Sequence, residues 1–280
     1  MLQHNSHGRV RKLLLCPPTY YSELNTSEMR HSLLDAGDGQ SRRACSMYRG
    51  LVHALSEAGV DVFWARPHPD HPWQVYTRDF GVNTPAGVLI GKYRHPVRRG
   101  DEEFGMEALE ALHAPVVGRV ARGAFEGGDC WLLDESTLAV GAGSRSTVEG
   151  IANAGEILKP HGIDVIGVTF DASWRHLDMI FAVVAENLAM YAEDRLPPDF
   201  TQVLKDRGWR LIPLSQELVT QGGCNLLSLG DGRVLSFLEN ETVNEILVSE
   251  GLEVLIPPLG EFTKMGGGPR CLTFELEREA

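Results

Sequence analysis

One of the five cysteines has the surroundings expected of a nucleophile. Cys271 follows a glycine triplet, a proline and Arg270. Glycine lets the backbone approach a ligand closely, and a neighbouring cation favours the thiolate, which is the reactive form of a cysteine. The alternative is a buried structural cysteine, which is how we interpret the cysteines at positions 16, 45, 130 and 224. We predict that Cys271 is a catalytic nucleophile.

A histidine that could serve as both acid and base lies at the start of a predicted strand. The ordinary pKa of histidine, ~6.5, permits both roles near neutral pH. His176 and Asp178 are separated by one residue, so strand alternation would place them on the same face. We predict that both side chains enter one site.

Three carboxylates, Asp79, Glu126 and Asp178, would crowd that site. Uncompensated like charges raise one another's pKa, and a cationic substrate would relieve the repulsion. A planar guanidinium offers N–H donors that suit carboxylates. A metal ion is the rival explanation, but the sequence has no HExxH, no CxxC and no Asp/His cluster with the spacing of manganese or zinc hydrolases. We therefore expect a small cationic substrate, and neither a metal nor another cofactor.

The polar candidates recur along the chain at a nearly constant interval. Each lies at the entry to a predicted β-hairpin, and one marker per unit gives separations of 46 to 50 residues. Repeats of this length are typical of solenoids and propellers. A βαβ sandwich whose acidic residues form turns is the alternative, but the constant spacing favours a repeat. The markers are Asp79, Glu126 with Asp129, His176 with Asp178, Asn225 and Cys271.

Each predicted unit contains a strand pair, a helix and a closing strand, in the order ββαβ. The second unit begins with strands at 76–81 and 88–93, and the third contains a helix from 147 to 158. The first unit needs a strand from each end of the chain, at 271–276 and 11–16. We therefore predict an α/β fold in which five units form a closed ring, with equivalent positions facing a common axis.

Composition narrows the class of protein further. The 280 residues include 26 Lys and Arg against 38 Asp and Glu, a net charge of −12, which argues against a nucleic acid or a membrane surface as a partner. No apolar run approaches the ~18 residues of a membrane span. Widely spaced cysteines without a CxxC pair argue against a disulfide framework.

We expect a cytoplasmic protein with a disordered tail at residues 1–9 and a single catalytic domain at 10–280. We leave open whether the protein forms a homo-oligomer.

As a set, the motifs resemble those of the guanidino-group-modifying (pentein) superfamily. This superfamily includes arginine deiminases, arginine dihydrolases, dimethylarginine hydrolases and amidinotransferases. The resemblance spans essentially the whole chain and implies a five-bladed, pseudo-symmetric α/β propeller. The matching motifs are Tyr76-Thr77-Arg78-Asp79, Phe125-Glu126-Gly127-Gly128-Asp129, Gly141-x-x-Ser144-Arg145-Ser146, His176-Leu177-Asp178 and Gly266-Gly267-Gly268-Pro269-Arg270-Cys271.

The resemblance implies a role for each matching residue. Cys271 would be the nucleophile, His176 the acid and base, and Glu126 the acid that orients substrate and histidine. Asp79 and Asp178 would clamp the guanidinium. The remaining predicted substrate-binding residues are Arg145 and Arg98, as ligands of a substrate carboxylate, and the repeat markers Asp129 and Asn225.

These observations predict a metal-free cysteine hydrolase of a small guanidino compound, arginine or a close relative, that forms a covalent thiouronium adduct. An amidinotransferase, in which an amine rather than water attacks the adduct, is the alternative among enzymes. A non-catalytic binding protein is the alternative of another class, because the same fold occurs in a translation factor. Dimethylarginine is disfavoured as a substrate, since its methyl groups would desolvate Asp178.

Overall fold

The computed structural model describes residues 1–21 and 39–279. Within these residues the strands form five sheets of three strands each. In every sheet the central strand pairs antiparallel with one neighbour and parallel with the other. The predicted ββαβ repeat is therefore confirmed.

The elements follow the same order in successive units. The strands are β1 (Val10–Leu15), β2 (Asp61–Trp64), β3 (Gly81–Thr84), β4 (Gly87–Ile90), β5 (Val116–Arg119), β6 (Cys130–Asp134), β7 (Thr137–Ala142), β8 (Asp164–Thr169), β9 (Phe181–Ala185), β10 (Leu188–Ala192), β11 (Arg210–Leu214), β12 (Leu227–Gly230), β13 (Arg233–Leu235), β14 (Glu253–Leu255) and β15 (Phe274–Arg278). The helices are α1 (Gly39–Glu57), α2 (Asp101–Ala111), α3 (Val148–Leu158), α4 (Pro198–Asp206), α5 (Gln216–Thr220), α6 (Glu241–Ser249) and α7 (Gly260–Thr263). None of the helices within residues 1–21 and 39–279 has the length and apolar character needed to cross a bilayer.

The two ends of the chain complete one sheet, as predicted. Strand β1 pairs antiparallel with β15, where Leu14 lies opposite Phe274, and in parallel with β2, where Leu13 lies opposite Val62. Neighbouring sheets contact each other through β15 and β3, through β9 and β12, and through β1 and β12. At the other two junctions helix α3 contacts β5, and residues 127–129 contact residues 177–179. The sheets thus form a closed ring, and the five-bladed α/β propeller is confirmed.

Crossover helices connect the parallel strands, because a parallel pair cannot be joined by a tight turn. Helix α3 shows why the sequence folds this way. The Thr147 Oγ1 caps it by accepting a hydrogen bond from the Gly150 N–H at 3.1 Å. Ile151, Ala154 and Leu158, three to four residues apart, are buried in one apolar cluster with strands β6 and β7. The core therefore lies between each sheet and its helix.

Two hairpin entries differ from the sequence prediction. Residues 77–80 and 177–179 form single 3₁₀ turns and not the first residues of a strand. Residues 127–129, for which no strand was predicted, form a third turn of this kind. Their backbone N–H groups bond back within the turn, as from Asp79 to the Tyr76 carbonyl at 3.3 Å and from Met179 to the His176 carbonyl at 3.2 Å. The strand-alternation argument for His176 and Asp178 was therefore wrong, and the turn places these side chains.

Residues 1–9, predicted as a disordered tail, pack against the ring. The Ser6 Oγ accepts the Leu132 N–H at 3.1 Å, and the Leu2 carbonyl accepts the Arg278 N–H at 3.0 Å. Gln3, Asn5 and Ser6 are buried. Disorder was expected because this terminal segment matches none of the motifs, but buried backbone groups of the sheets require polar partners, and this segment supplies them.

Candidate active site

One pocket collects side chains from four of the five blades. The sequence-predicted residues that line it are Cys271, His176, Asp79, Asp178, Arg145 and Arg98. Residues at equivalent positions of successive repeats therefore meet, although up to 192 residues separate them in the sequence. The lining also includes Tyr76, Gly266 and Gly267, which belong to the motifs described above, and four residues that the sequence analysis did not identify, namely Trp73, Arg175, Met179 and Met265.

The Cys271 thiol is held by an amide from the neighbouring blade. The Asn225 Nδ2 lies 2.9 Å from the Cys271 Sγ, and the Asn225 Oδ1 accepts the Cys271 N–H at 3.2 Å. Asn225 was predicted to bind substrate, but it contacts the nucleophile and is not part of the pocket lining. A Cβ at Gly268 would lie 2.7 Å from the Asn225 Oδ1. One glycine of the triplet is thus needed to let this amide approach.

The electrostatic surroundings of Cys271 also differ from the sequence prediction. The thiol points to the Asp178 Oδ2 at 3.7 Å. Burial, followed by the charges of Asp178 and Asp79, raises the pKa of Cys271 well above its ordinary value. Arg270, which was expected to favour the thiolate, pairs with Asp178. These surroundings favour the neutral thiol of Cys271 over the thiolate in the free protein.

Asp178 has one oxygen occupied and one free. The Arg270 Nη1 donates to the Asp178 Oδ2 at 2.9 Å, and the Arg270 guanidinium lies over the Trp131 ring at 3.8 Å. The Asp178 Oδ1 is buried and has no hydrogen-bond partner in the part of the chain that the structure describes. A buried acceptor without a partner is costly, so this oxygen is well suited to a ligand that donates a hydrogen bond.

Asp79 has the same arrangement on another blade. The Arg98 Nη1 donates to the Asp79 Oδ2 at 2.9 Å, whereas the buried Asp79 Oδ1 has no hydrogen-bond partner within residues 1–21 and 39–279. Arg98 also donates to the Asp101 Oδ2 at 2.5 Å and to the Tyr93 hydroxyl at 3.0 Å. The prediction that Arg98 binds a substrate carboxylate therefore does not fit, because two protein carboxylates already surround its guanidinium.

His176 lies between two acidic side chains. Its Nε2 is 2.9 Å from the Glu126 Oε2, and its Nδ1 is 3.9 Å from the Asp79 Oδ1. Burial opposes the protonated ring, but Asp79 and Glu126 outweigh it and raise the pKa of His176 to about 9. A Cβ at Gly128 would lie 2.7 Å from the imidazole ring, so the turn that carries the acidic motif must have glycine here.

Asp129, predicted to bind substrate, has no free oxygen. Its Oδ2 accepts the Ser146 N–H at 3.0 Å and the Ser146 hydroxyl at 2.6 Å, and its Oδ1 accepts the Leu177 N–H at 2.9 Å. The Ser146 Oγ in turn accepts the Glu126 N–H at 3.0 Å. Asp129 is fully buried and does not line the pocket. It therefore positions the turns that carry Glu126 and His176.

Asp79, Glu126 and His176 form a cluster that could hold either a metal ion or the cationic group of an organic substrate. Asp79, Glu126 and His176 each present one ligand atom, and these atoms lie within 4.8 Å of one another. Such a group suits a metal ion, and it equally suits the cationic group of an organic substrate. Two of the three residues already hydrogen bond to each other, as described above.

Comparison with known proteins identifies relatives of the whole chain. A family model described as N,N dimethylarginine dimethylhydrolase, eukaryotic, matches residues 23–278. The uncharacterized protein YkgA of Bacillus subtilis is 26% identical over 97% of this chain and 93% of its own length. An arginine deiminase of Listeria welshimeri is 26% identical over 98% of this chain and 77% of its own length.

A solved structure shows the same fold. The N-terminal domain of ArgZ, described as covalently bound to a reaction intermediate, superimposes with a TM-score of 0.81 at 24% identity, covering 95% of this chain and 98% of that one. Since the family model spans nearly all of the 280 residues, the chain belongs to the N,N dimethylarginine dimethylhydrolase family, within the guanidino-group-modifying pentein superfamily.

Proposed function

We propose that this protein hydrolyses a small guanidino compound, arginine or a close relative, through a covalent adduct on Cys271. One observation carries the proposal. Two buried carboxylate oxygens, the Asp79 Oδ1 and the Asp178 Oδ1, lack hydrogen-bond partners among the described residues and belong to side chains of one pocket, together with a thiol and a histidine. A guanidinium supplies the N–H donors that these oxygens lack.

Substrate binding would also prepare the nucleophile. A guanidinium that donates to Asp178 lies beside Cys271, because the Asp178 Oδ2 is 3.7 Å from the Sγ. Burial and the carboxylates hold the pKa of Cys271 high in the free protein. A bound cation would compensate those carboxylates and lower this pKa, so that the thiol releases its proton to solvent and attacks as the thiolate. The Asn225 Nδ2, 2.9 Å from the Sγ, is placed to stabilise the thiolate.

His176 would transfer the protons. With a pKa of about 9, it is protonated near neutral pH and can protonate the departing amine as the sulfur attacks the guanidinium carbon. A thiouronium adduct would remain on Cys271. The neutral His176 then takes a proton from the attacking water, and collapse of the tetrahedral species releases a ureido product and the thiol. Glu126 keeps the imidazole in place through the 2.9 Å contact with its Nε2.

The family match also makes dimethylarginine a candidate substrate. The clamp argues for a substrate with more N–H donors, since Asp79 and Asp178 each present an acceptor without a partner among the described residues. Each methyl group removes a donor and would leave a buried acceptor less well solvated. We therefore favour arginine over its methylated derivatives as the substrate.

The test is incubation of the purified protein with arginine, agmatine, guanidinoacetate and methylarginines, with ammonia, alkylamine, ureido product and ornithine as readouts. We expect turnover of at least one of these compounds, and mass spectrometry of the quenched reaction should find an adduct on Cys271. A deiminase stops at citrulline and ammonia, whereas a dihydrolase continues to ornithine. Transfer of the amidino group to an added amine, without ureido product, would contradict hydrolysis.

The pH dependence of kcat/KM should follow His176. The residue must be protonated to act as an acid, and this form is lost as the pH rises through the pKa of about 9. We therefore expect kcat/KM to fall above that pH, because this parameter depends on ionisations of the free enzyme and free substrate. A kcat/KM that keeps rising with pH beyond this point would show that ionisation of Cys271 governs the profile instead.

Activity is expected to survive metal removal. The substrate itself carries the positive charge, and His176 provides the acid, so no step above needs a Lewis acid. The measurement is kcat before and after exhaustive chelation and dialysis, with manganese and zinc then added back. Loss of activity on chelation, restored by either metal, would assign the cluster of Asp79, Glu126 and His176 to an ion and contradict the proposed mechanism.

A further inference from the structure

A second arginine besides Arg145 lies half-buried in the pocket lining, and the sequence analysis gave it no role. Arg175 directly precedes His176 and donates one hydrogen bond from its Nη1 to the Met265 carbonyl at 2.8 Å. No carboxylate among the described residues forms a salt bridge with it. A guanidinium has five N–H donors, so a ligand in the pocket could be bound by the donors that remain.

The family resemblance implies that Arg98 and Arg145 bind the substrate carboxylate together. Arg98, however, already forms ion pairs with carboxylates of the protein. Asp79 and Asp101 both pair with it, and its side chain is only 5% exposed. The Nε, Nη1 and Nη2 of Arg98 each already donate to a protein group. Arg175 has no such competitor among the residues described.

Arg145 and Arg175 are tied together although they belong to different blades. The Ser144 Oγ contacts the carbonyls of Trp174 and Arg175, each at 3.1 Å. Because Ser144 precedes Arg145 in the chain, one hydroxyl joins the two segments that carry these guanidiniums. Both arginines are half-buried and line the same pocket.

The charged residues that line the pocket differ in burial. Asp79 and Asp178 are buried, whereas Arg145 and Arg175 are half-buried. The Arg145 Nη1 lies 3.6 Å from the Glu126 Oε2, so of these two arginines Arg175 is the one without a carboxylate partner among the described residues. A substrate that is cationic at one end and anionic at the other matches this distribution. A carboxylate suits two guanidiniums because each can donate paired N–H bonds to it.

We propose that Arg175 is a specificity-determining residue that, with Arg145, binds an anionic group at the end of the substrate opposite its guanidinium. The substrate class is then a guanidino acid, such as arginine. This inference rests on the proposed function and deepens it.

The test compares three substrates that separate the carboxylate from the amine. L-Arginine has both groups, 4-guanidinobutanoate has only the carboxylate, and agmatine has only the amine. Arg175→Leu should raise KM for the two carboxylates by roughly 10-fold or more, with kcat largely retained, because a charge-assisted contact far from the reacting carbon is lost. KM for agmatine should not rise. Arg175→Lys should restore part of the loss.

Arg99→Leu is the matched control. Arg99 is exposed and does not line the pocket, so its loss tests the general effect of removing one positive charge. We expect its KM for all three compounds to match wild type. To separate binding from turnover, the Kd of L-arginine is measured for Cys271→Ser with and without Arg175→Leu, where the second substitution should weaken binding. Thermal unfolding of each variant shows that the fold is kept.

Equal effects of Arg175→Leu on arginine and agmatine, or no effect on either, would overturn the inference. A wild-type preference for agmatine would overturn it as well. In each of these cases hydrolysis by wild type leaves the proposed function standing. Absence of turnover with every guanidino compound contradicts the proposed function itself, and the inference with it.

Discussion

Replacing Cys271 with serine should lower kcat by about 10³-fold or more, because a hydroxyl at this position has no base to ionise it and cannot form the adduct. The substitution exchanges one atom in a site where the Asn225 Nδ2 and the Asp178 Oδ2 remain as partners. We therefore expect the protein to stay folded and to bind its substrate. The measurements are kcat, Kd for the substrate, and mass spectrometry of the quenched reaction, which should show an adduct only in wild type.

Two other cysteines provide matched controls. Cys45 is half-exposed, and Cys130 is buried with its Sγ 3.8 Å from the Glu126 carbonyl. Cys45→Ser and Cys130→Ala should retain kcat per folded molecule, and an alkylating label should still reach Cys271 in both. Near-normal activity of Cys271→Ser would rule out the covalent mechanism.

Replacing either clamp aspartate with asparagine should lower kcat/KM by roughly 100-fold or more. Asp79→Asn or Asp178→Asn removes a charge-assisted hydrogen bond to the guanidinium. Each substitution also introduces an NH₂ group, which must face another donor, either the substrate guanidinium or the arginine that pairs with the aspartate (Arg98 or Arg270). The clamp also aligns the guanidinium carbon with Cys271, so kcat should fall as well as affinity. Steady-state kinetics with the best substrate of the panel measures both effects.

The same variants should also be less stable than wild type. Repulsion among carboxylates, considered from the sequence alone, suggested unchanged or improved stability. The structure reverses this expectation, because Asp178→Asn leaves the buried Arg270 without its counter-charge, at a cost of the order of 3 kcal/mol in the free energy of unfolding. Denaturant unfolding measures this change.

Asp134→Asn is the control for both effects. Asp134 also pairs with an arginine, its Oδ2 lying 2.6 Å from the Arg207 Nη1, but this ion pair is partly exposed and Asp134 does not line the pocket. Its loss should change stability by about 1 kcal/mol or less and leave kcat/KM unchanged. Wild-type kcat/KM in Asp178→Asn would show that this carboxylate does not bind the guanidinium.

The order of residues along the chain was enough to predict the architecture and to identify the thiol, the histidine and the two aspartates that line the pocket. The spacing of Asp79, Asp129, Asp178, Asn225 and Cys271 predicted a five-fold repeat, and the need for a strand from each end of the chain predicted ring closure. Both are properties of the order of residues along the chain. A closed ring of such repeats then brings equivalent positions together whatever the details of packing.

Which polar groups remain available to a ligand depends on contacts that form on folding. Asp178 is paired with Arg270, 92 residues away, and Asp79 with Arg98, so that each carboxylate has one oxygen without a hydrogen-bond partner among the described residues. The spacing of motifs cannot reveal such pairs, because ion pairing depends on distance and burial in space.

The same reason explains the residues whose predicted roles changed. Asn225 and Asp129 lie at repeat positions, yet one holds the Cys271 thiol and the other holds backbone N–H and hydroxyl groups. Arg270 precedes Cys271 in sequence but turns to Asp178, while Arg175 had no motif to distinguish it. Residue type and order determined which groups reach the pocket, and the partners that each group meets after folding determined what it can do there.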